Sequence, residues 1–207
     1  EVAEARDLQA SALCAAHGSA AVPLTQSSQY AVVSDESNHS QGSGGQHPFT
    51  DVAAEAWYAQ AVQYVYENGL MDGIENNQFA PEHTTTRAQL VTILYRLEGQ
   101  PAVTGESGFT DVEADTWYTD AVVWAAANGL VNGVSDTRFA PGDEITRQQM
   151  AAILYRYAEA KGYDVTDSAD LSGYSDAETI QAYAPIPMAR AGAPGPIQGF
   201  EDDTPRP

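Results

Sequence analysis

The strongest constraint in this chain is that it says the same thing twice at a fixed offset of sixty positions. Phe49, Asp51, Trp57 and Tyr58 return as Phe109, Asp111, Trp117 and Tyr118. Asn68-Gly69-Leu70 and Gly73 return as Asn128-Gly129-Leu130 and Gly133. Phe79-Ala80-Pro81, Arg87 and Arg96 return as Phe139-Ala140-Pro141, Arg147 and Arg156. No insertion or deletion intervenes. A collinear repeat of this length is the signature of duplicated supersecondary units. A helix pair of this size cannot bury its apolar face alone, so the units must pack on each other.

Each unit reads as helix, loop, helix. The second helix has a marked start: Thr86 with Gln89, and Thr146 with Gln149, have the spacing of a capping box. Met150, Ile153, Leu154 and Tyr157 follow at three- and four-residue steps and make one apolar stripe. The first helix carries a stripe of Trp57, Ala61, Val62 and Val65 and ends at Asn68-Gly69, a glycine suited to the left-handed residue beyond a helix. The linking loop, residues 71–85, holds Gly73 for a tight bend and Phe79-Ala80-Pro81 as a short extended piece.

A third copy begins and breaks off. Tyr174-Ser175-Asp176 stands where Phe-Thr-Asp stood, and Tyr183-Ala184 matches Tyr58-Ala59. Residues 185–194 then carry three prolines where a helix belongs. An interior proline costs a helix roughly 3 kcal/mol. The expectation is that 185–207 forms no regular helix and that the counterpart of the capping-box helix is absent. Leu90, Leu94, Met150 and Leu154 would then lack part of their cover, leaving a sticky apolar patch.

The domain reading is therefore residues 1–33 as the tail of a preceding domain, 34–48 as a flexible linker, repeats at 49–100 and 109–161, and a partial repeat at 171–207. The linker is Ser, Gly, Gln and His with no hydrophobic anchor, too polar to offset the entropy of ordering. His39 and His47 lie in it and read as solvated residues rather than metal ligands. The fold class expected is mainly α, with short extended loop segments and disordered ends.

Composition excludes several functions. The net charge is −20 with a sequence pI ≈ 4.2, so a polyphosphate is repelled and nucleic acid is not an expected partner. No apolar run approaches a membrane span. Cys14 stands alone, so there is no disulfide framework. No signal peptide is visible at Glu1, so the chain reads as a mature protein or a fragment. Asp136, Asp143 and Glu144 invite a calcium reading, but the alternating ligand spacing of a calcium loop is missing. Paired carboxylates invite a glycosidase reading, but nothing selects a pair among 29 acidic residues. No nucleophile motif, phosphate loop or zinc spacing stands out, so no cofactor and no catalysis are expected.

These landmarks together, Phe-Thr-Asp-Val, Trp-Tyr, Asn-Gly-Leu…Gly, Phe-Ala-Pro and Thr-Arg-x-Gln before a Leu-Tyr-Arg helix, resemble the S-layer homology domain. The resemblance covers 49–161 well and 171–207 poorly. It implies a secreted bacterial protein held non-covalently on the cell wall. It also implies three tandem domains in a pseudo-threefold arrangement, incomplete here, that bind secondary cell-wall polysaccharide, often pyruvylated and anionic, in grooves between units. The family motif is usually Thr-Arg-Ala-Glu; here the fourth residue is Gln89 or Gln149.

In the family the arginine of that motif contacts glycan, which points to Arg87 and Arg147. Both stand at helix starts, where a cation forfeits dipole stabilisation and an anionic partner compensates. The plainer reading is an internal salt bridge to Asp51 or Asp111. Asp51 and Asp111 are candidates for sugar hydroxyls or for fixing a turn. Trp57 and Trp117 offer ring faces to a sugar, with core packing as the stronger alternative. Gly73 and Gly133 serve the turn, with close approach to ligand as the second reading. Arg96 and Arg156, nearer the helix C-terminus, read as structural. The expected partner is cell-wall polysaccharide. The alternatives are a protein–protein assembly module of a surface layer, or the anchor of an enzyme.

Overall fold

The computed structural model describes residues 47–166 and 168–192. The calls on 1–33, on all of the linker before His47 and on 193–207 lie outside the described residues. The order is helix α1 (Ala59–Glu67), a 3-10 turn (Glu75–Asn77), α2 (Arg87–Leu97), α3 (Thr119–Ala127), α4 (Arg147–Lys161), a second 3-10 turn (Ala177–Thr179) and α5 (Pro185–Gly192). Among the described residues there is no strand, only isolated bridges such as Ile74 with Gln78 and Thr86 with Glu144.

Both capping boxes form. Thr86 and Thr146 accept from the backbone N–H of Gln89 and Gln149, whose side chains return to the cap N–H. The first helices start later than the apolar stripe suggested. α1 and α3 open at Ala59 and Thr119, so Trp57 and Trp117 sit in the preceding turn. Asn68 then caps α1 and Gly69 takes φ 64, as a left-handed exit requires.

The units interlock in sequence order: α2 packs on α3, and α4 on α5. The main core joins Leu90, Val91 and Leu94 of α2, Ala121, Val122 and Ala125 of α3, and Met150, Ile153, Leu154 and Tyr157 of α4. A second cluster gathers Phe49, Val52, Val62, Val65 and Phe79 around Ile93. The expected apolar patch is not there: Leu90, Leu94, Met150 and Leu154 are all buried, because α3 and the helices of the neighbouring unit cover them.

The expectation of no helix after residue 185 is overturned. α5 runs over Pro185–Gly192. Pro185 and Pro187 occupy its first turn, where backbone N–H groups have no partner inside the helix, so the missing donors cost little. The helical bonding begins just after them, with the Met188 N–H donating to Ala184 O at 2.8 Å. Ala184 and Met188 bury against Ala151, with Leu171 and Ile180 alongside.

Candidate functional site: two related grooves

The loop between the helices of each unit is held by an aspartate. Asp51 accepts the Phe79 and Ala80 N–H groups at 2.8 and 2.7 Å. Asp111 accepts those of Phe139 and Ala140, both at 2.8 Å. Ala80 and Ala140 are not extended, as the sequence suggested, but left-handed at φ 58, a conformation that costs an alanine roughly 1 kcal/mol. The paired N–H acceptors fix it. Burial alone would raise the Asp111 carboxyl, but the two N–H groups and nearby Arg138 outweigh burial and hold it below its usual range. Gly73 and Gly133 close the same loops. A Cβ at Gly73 would strike the Phe49 ring and Gln78 O, and one at Gly133 would strike Ser135 O, Arg138 O and the Phe109 ring.

Arg87 is buried at the junction of the first two units. Its Nε donates to Phe139 O at 2.8 Å and its Nη2 to Asn132 O at 3.0 Å, and its Cζ stands 4.7 Å from the centre of the Phe139 ring. No salt bridge to Asp51 or Asp111 forms. Burial pulls its pKa down, while Asp143, Tyr183 and Asp111 pull the other way. The neighbouring loop also finishes the start of α2. The free N–H groups of Arg87 and Ala88 donate to Asp143 O and Pro141 O, and Ile145 N–H returns to Thr85 O. Arg147 occupies the same place on α4 and is equally buried.

Two open grooves result, related by the sixty-residue offset. Groove one, about 520 Å³, runs between the Leu70–Ile74 turn and α2, walled by Gly73, Gln89, Thr92, Ile93, Arg96 and Trp117. Groove two, about 360 Å³, is walled by Gly133, Gln149, Ala152, Ile153, Arg156 and, from across the junctions, Arg87 and Tyr183. Trp117 belongs to the second unit yet closes the first groove, 61% exposed.

Of the residues singled out in the sequence, the structure brings Gly73 and Trp117 to groove one and Arg87 and Gly133 to groove two. It does not bring Asp51, Asp111 or Trp57 to either wall; the two aspartates face backbone N–H groups and Trp57 stacks edge-on with Tyr58. Sequence reasoning missed the walls themselves. Gln89, Thr92, Ile93 and Arg96 recur at three- and four-residue steps on one face of α2, and that half-polar stripe was the available signal. Arg96 and Arg156 do hold the turn, donating to Leu70 O and Leu130 O, but they also line the grooves.

Residues 48–91 and 108–151 each match the family described as the S-layer homology domain. The chain is an S-layer homology domain protein. Both matches contain a loop, its aspartate and the start of a capping-box helix, and they stop just before the wall residues Thr92, Ile93 and Arg96 and Ala152, Ile153 and Arg156. The chain is 37% identical over 145 residues to the surface-layer 125 kDa protein of Lysinibacillus sphaericus, covering 69% of this chain and 12% of that protein. It is 32% identical over 122 residues to a cell surface protein of Thermoanaerobacter kivui, covering 56% of this chain and 16% of that one. It is 28% identical over 154 residues to an endoglucanase of Bacillus sp. (strain KSM-635), covering 74% of this chain and 16% of the enzyme. The chain thus spans a small fraction of the relatives it matches. No helix among the described residues is long and apolar enough to cross a membrane.

Proposed function

We propose that this chain is a non-covalent cell-surface anchor that binds an anionic, pyruvylated wall polysaccharide in its inter-unit grooves. The observation that carries the proposal is the groove repeated at a sixty-residue spacing, part of whose wall lies in the residues that match the S-layer homology domain. A polymer with a regular saccharide repeat is suited to such paired sites, because two weak contacts on one strand add avidity. An acidic protein must take an acidic polymer through locally placed cations, since its overall field repels the ligand. Arg87, Arg156, Gly73, Gly133 and Trp117 form the contact set. Asp51 and Asp111 support it by holding the loops, Trp57 packs behind, and Arg147 prepares the corresponding junction with the partial third unit from 171 onward. Relatives as different as an endoglucanase and surface-layer proteins share this region, which suits a portable anchor with no catalysis of its own and a location at the bacterial cell surface.

The test is sedimentation of the purified chain with cell wall, before and after chemical removal of the polysaccharide. Binding is expected only to the intact wall. It should weaken as ionic strength rises, since charge interactions are screened beyond about 8 Å at physiological salt. Equal binding to the stripped wall would overturn the proposal in favour of a protein or peptidoglycan partner.

A further inference from the structure

The two grooves share their architecture but not their charge. In groove one the single guanidinium in the wall, Arg96, is already paired with Asp72 at 2.8 Å. Sixty positions on, Asp72 is replaced by Asn132, and Arg156 forms no ion pair among the described residues. Groove two also receives Arg87 from the preceding unit. Arg87 spends Nε and Nη2 on carbonyls, which leaves further N–H donors among the five of a guanidinium. Asp143 and Asp111 are the acids whose fields reach it, yet neither ion-pairs with it, and Asp111 is committed to the Phe139 and Ala140 N–H groups. Tyr183 lies within the field of both arginines. Groove one has an exposed indole instead, a flat apolar face suited to the C–H surface of a sugar ring.

We infer that the two grooves take different saccharide units: groove two, walled by Arg87 and Arg156, accepts a carboxylate-bearing unit, while groove one accepts a neutral unit stacked on Trp117. Asp72 and Asn132 are the residues that set this difference. The inference rests on the proposed glycan function and sharpens it. A strand that fills both grooves then binds in one direction only, with its acidic unit toward the third piece.

The experiment is a site-resolved NMR titration of the full chain with glucuronic acid and, separately, with glucose. Amides of Gly133 and Ala152 report groove two; the Gly73 amide and the Trp117 indole report groove one. In the native protein glucuronic acid should shift the groove-two signals and leave groove one nearly still. Asn132→Asp should weaken that response about fivefold, the size expected of one carboxylate several ångströms away in a partly solvated site. Asp72→Asn should give groove one a response to glucuronic acid that it lacked. Asn132 and Asp72 are both exposed, so neither change should disturb the fold, and thermal melting checks this. Equal response of both grooves to glucuronic acid, no response at either, or indifference to both substitutions would overturn the inference. Wall sedimentation of the same variants keeps the two ideas separate. A native chain that binds wall while its grooves respond alike retains the anchor function and loses the asymmetry.

Discussion

The junction of α2 with α3 and the junction of α4 with α5 repeat one packing plan at two qualities. The first is continuous with the main core and is bordered by Arg87, by backbone bonds to the next loop, and by a polar clasp. In the clasp, the Tyr157 hydroxyl donates to Glu98 at 2.5 Å and Lys161 bridges the same carboxylate at 3.1 Å. Among the described residues the second junction has a core of Ala151, Ala184 and Met188, flanked by Leu171 and Ile180. It is tied by the Gln181 N–H donating to Gln148, and the Ala169 N–H donating to Ala189 O fastens the connector after α4 to α5. The same helix-on-helix geometry survives with a much smaller apolar contact. Among the described residues the docking of the third piece therefore stands on few apolar side chains, while the first two units share one core.

Three substitutions probe that contrast. Leu94→Ala, at a site 1% exposed in the shared core, should cost about 3 kcal/mol and lower the melting of both units together in calorimetry. Separate transitions for the two units would break the picture of one cooperative core. Met188→Ala should cost about 2 kcal/mol, but locally. Hydrogen exchange should quicken over residues 181–190 while α2 and α3 keep their protection. A global loss of protection would mean that the second junction is as deeply built as the first.

The smallest effect belongs to the clasp. Tyr157→Phe should cost about 1.5 kcal/mol for one hydrogen bond to a charged acceptor. It should also change the acid limb. Burial would raise the Glu98 carboxyl, but the Tyr157 and Lys161 contacts outweigh it and hold the pKa below its ordinary 4.5. A carboxylate lowered on folding contributes stability above its unfolded pKa and loses it as pH falls through the folded one. The native protein should therefore lose stability below about pH 4.5, and urea titrations should show a shallower acid slope for Tyr157→Phe. An unchanged slope would remove Glu98 from the account.

Much of this was legible in the sequence. The offset of sixty, the two capping boxes and the Asn-Gly exits are local signals, and local physics was enough to read them. The helix at Pro185 was misread because proline was counted by its average cost and not by its place in the first turn. The left-handed Ala80 and Ala140 could not be read either. Nothing in an alanine announces such a backbone; the reason lies in an aspartate nearly thirty residues away. Of the two readings of Arg87, the internal salt bridge to Asp51 or Asp111 does not form; Nε and Nη2 reach carbonyl oxygens of the next unit. Arg96 and Arg156 were read as merely structural, but each stands in a groove wall. Contacts between units leave no mark within one unit's sequence, so the site they create was the least readable part.

The start of α2 donates its loose N–H groups to the Asp143 and Pro141 carbonyls of the next unit's loop. That gives this junction a grammatical direction: the first word's helix start is completed by its successor, while the Ile145 N–H bond to Thr85 O runs back. A second unit severed from the first keeps its helix cap and loses the Ile145 N–H bond to Thr85 O, whereas a first unit severed from the second is left with an open helix end and a guanidinium facing water. At this junction the trailing unit therefore supplies the carbonyls that the preceding helix end is shaped to receive.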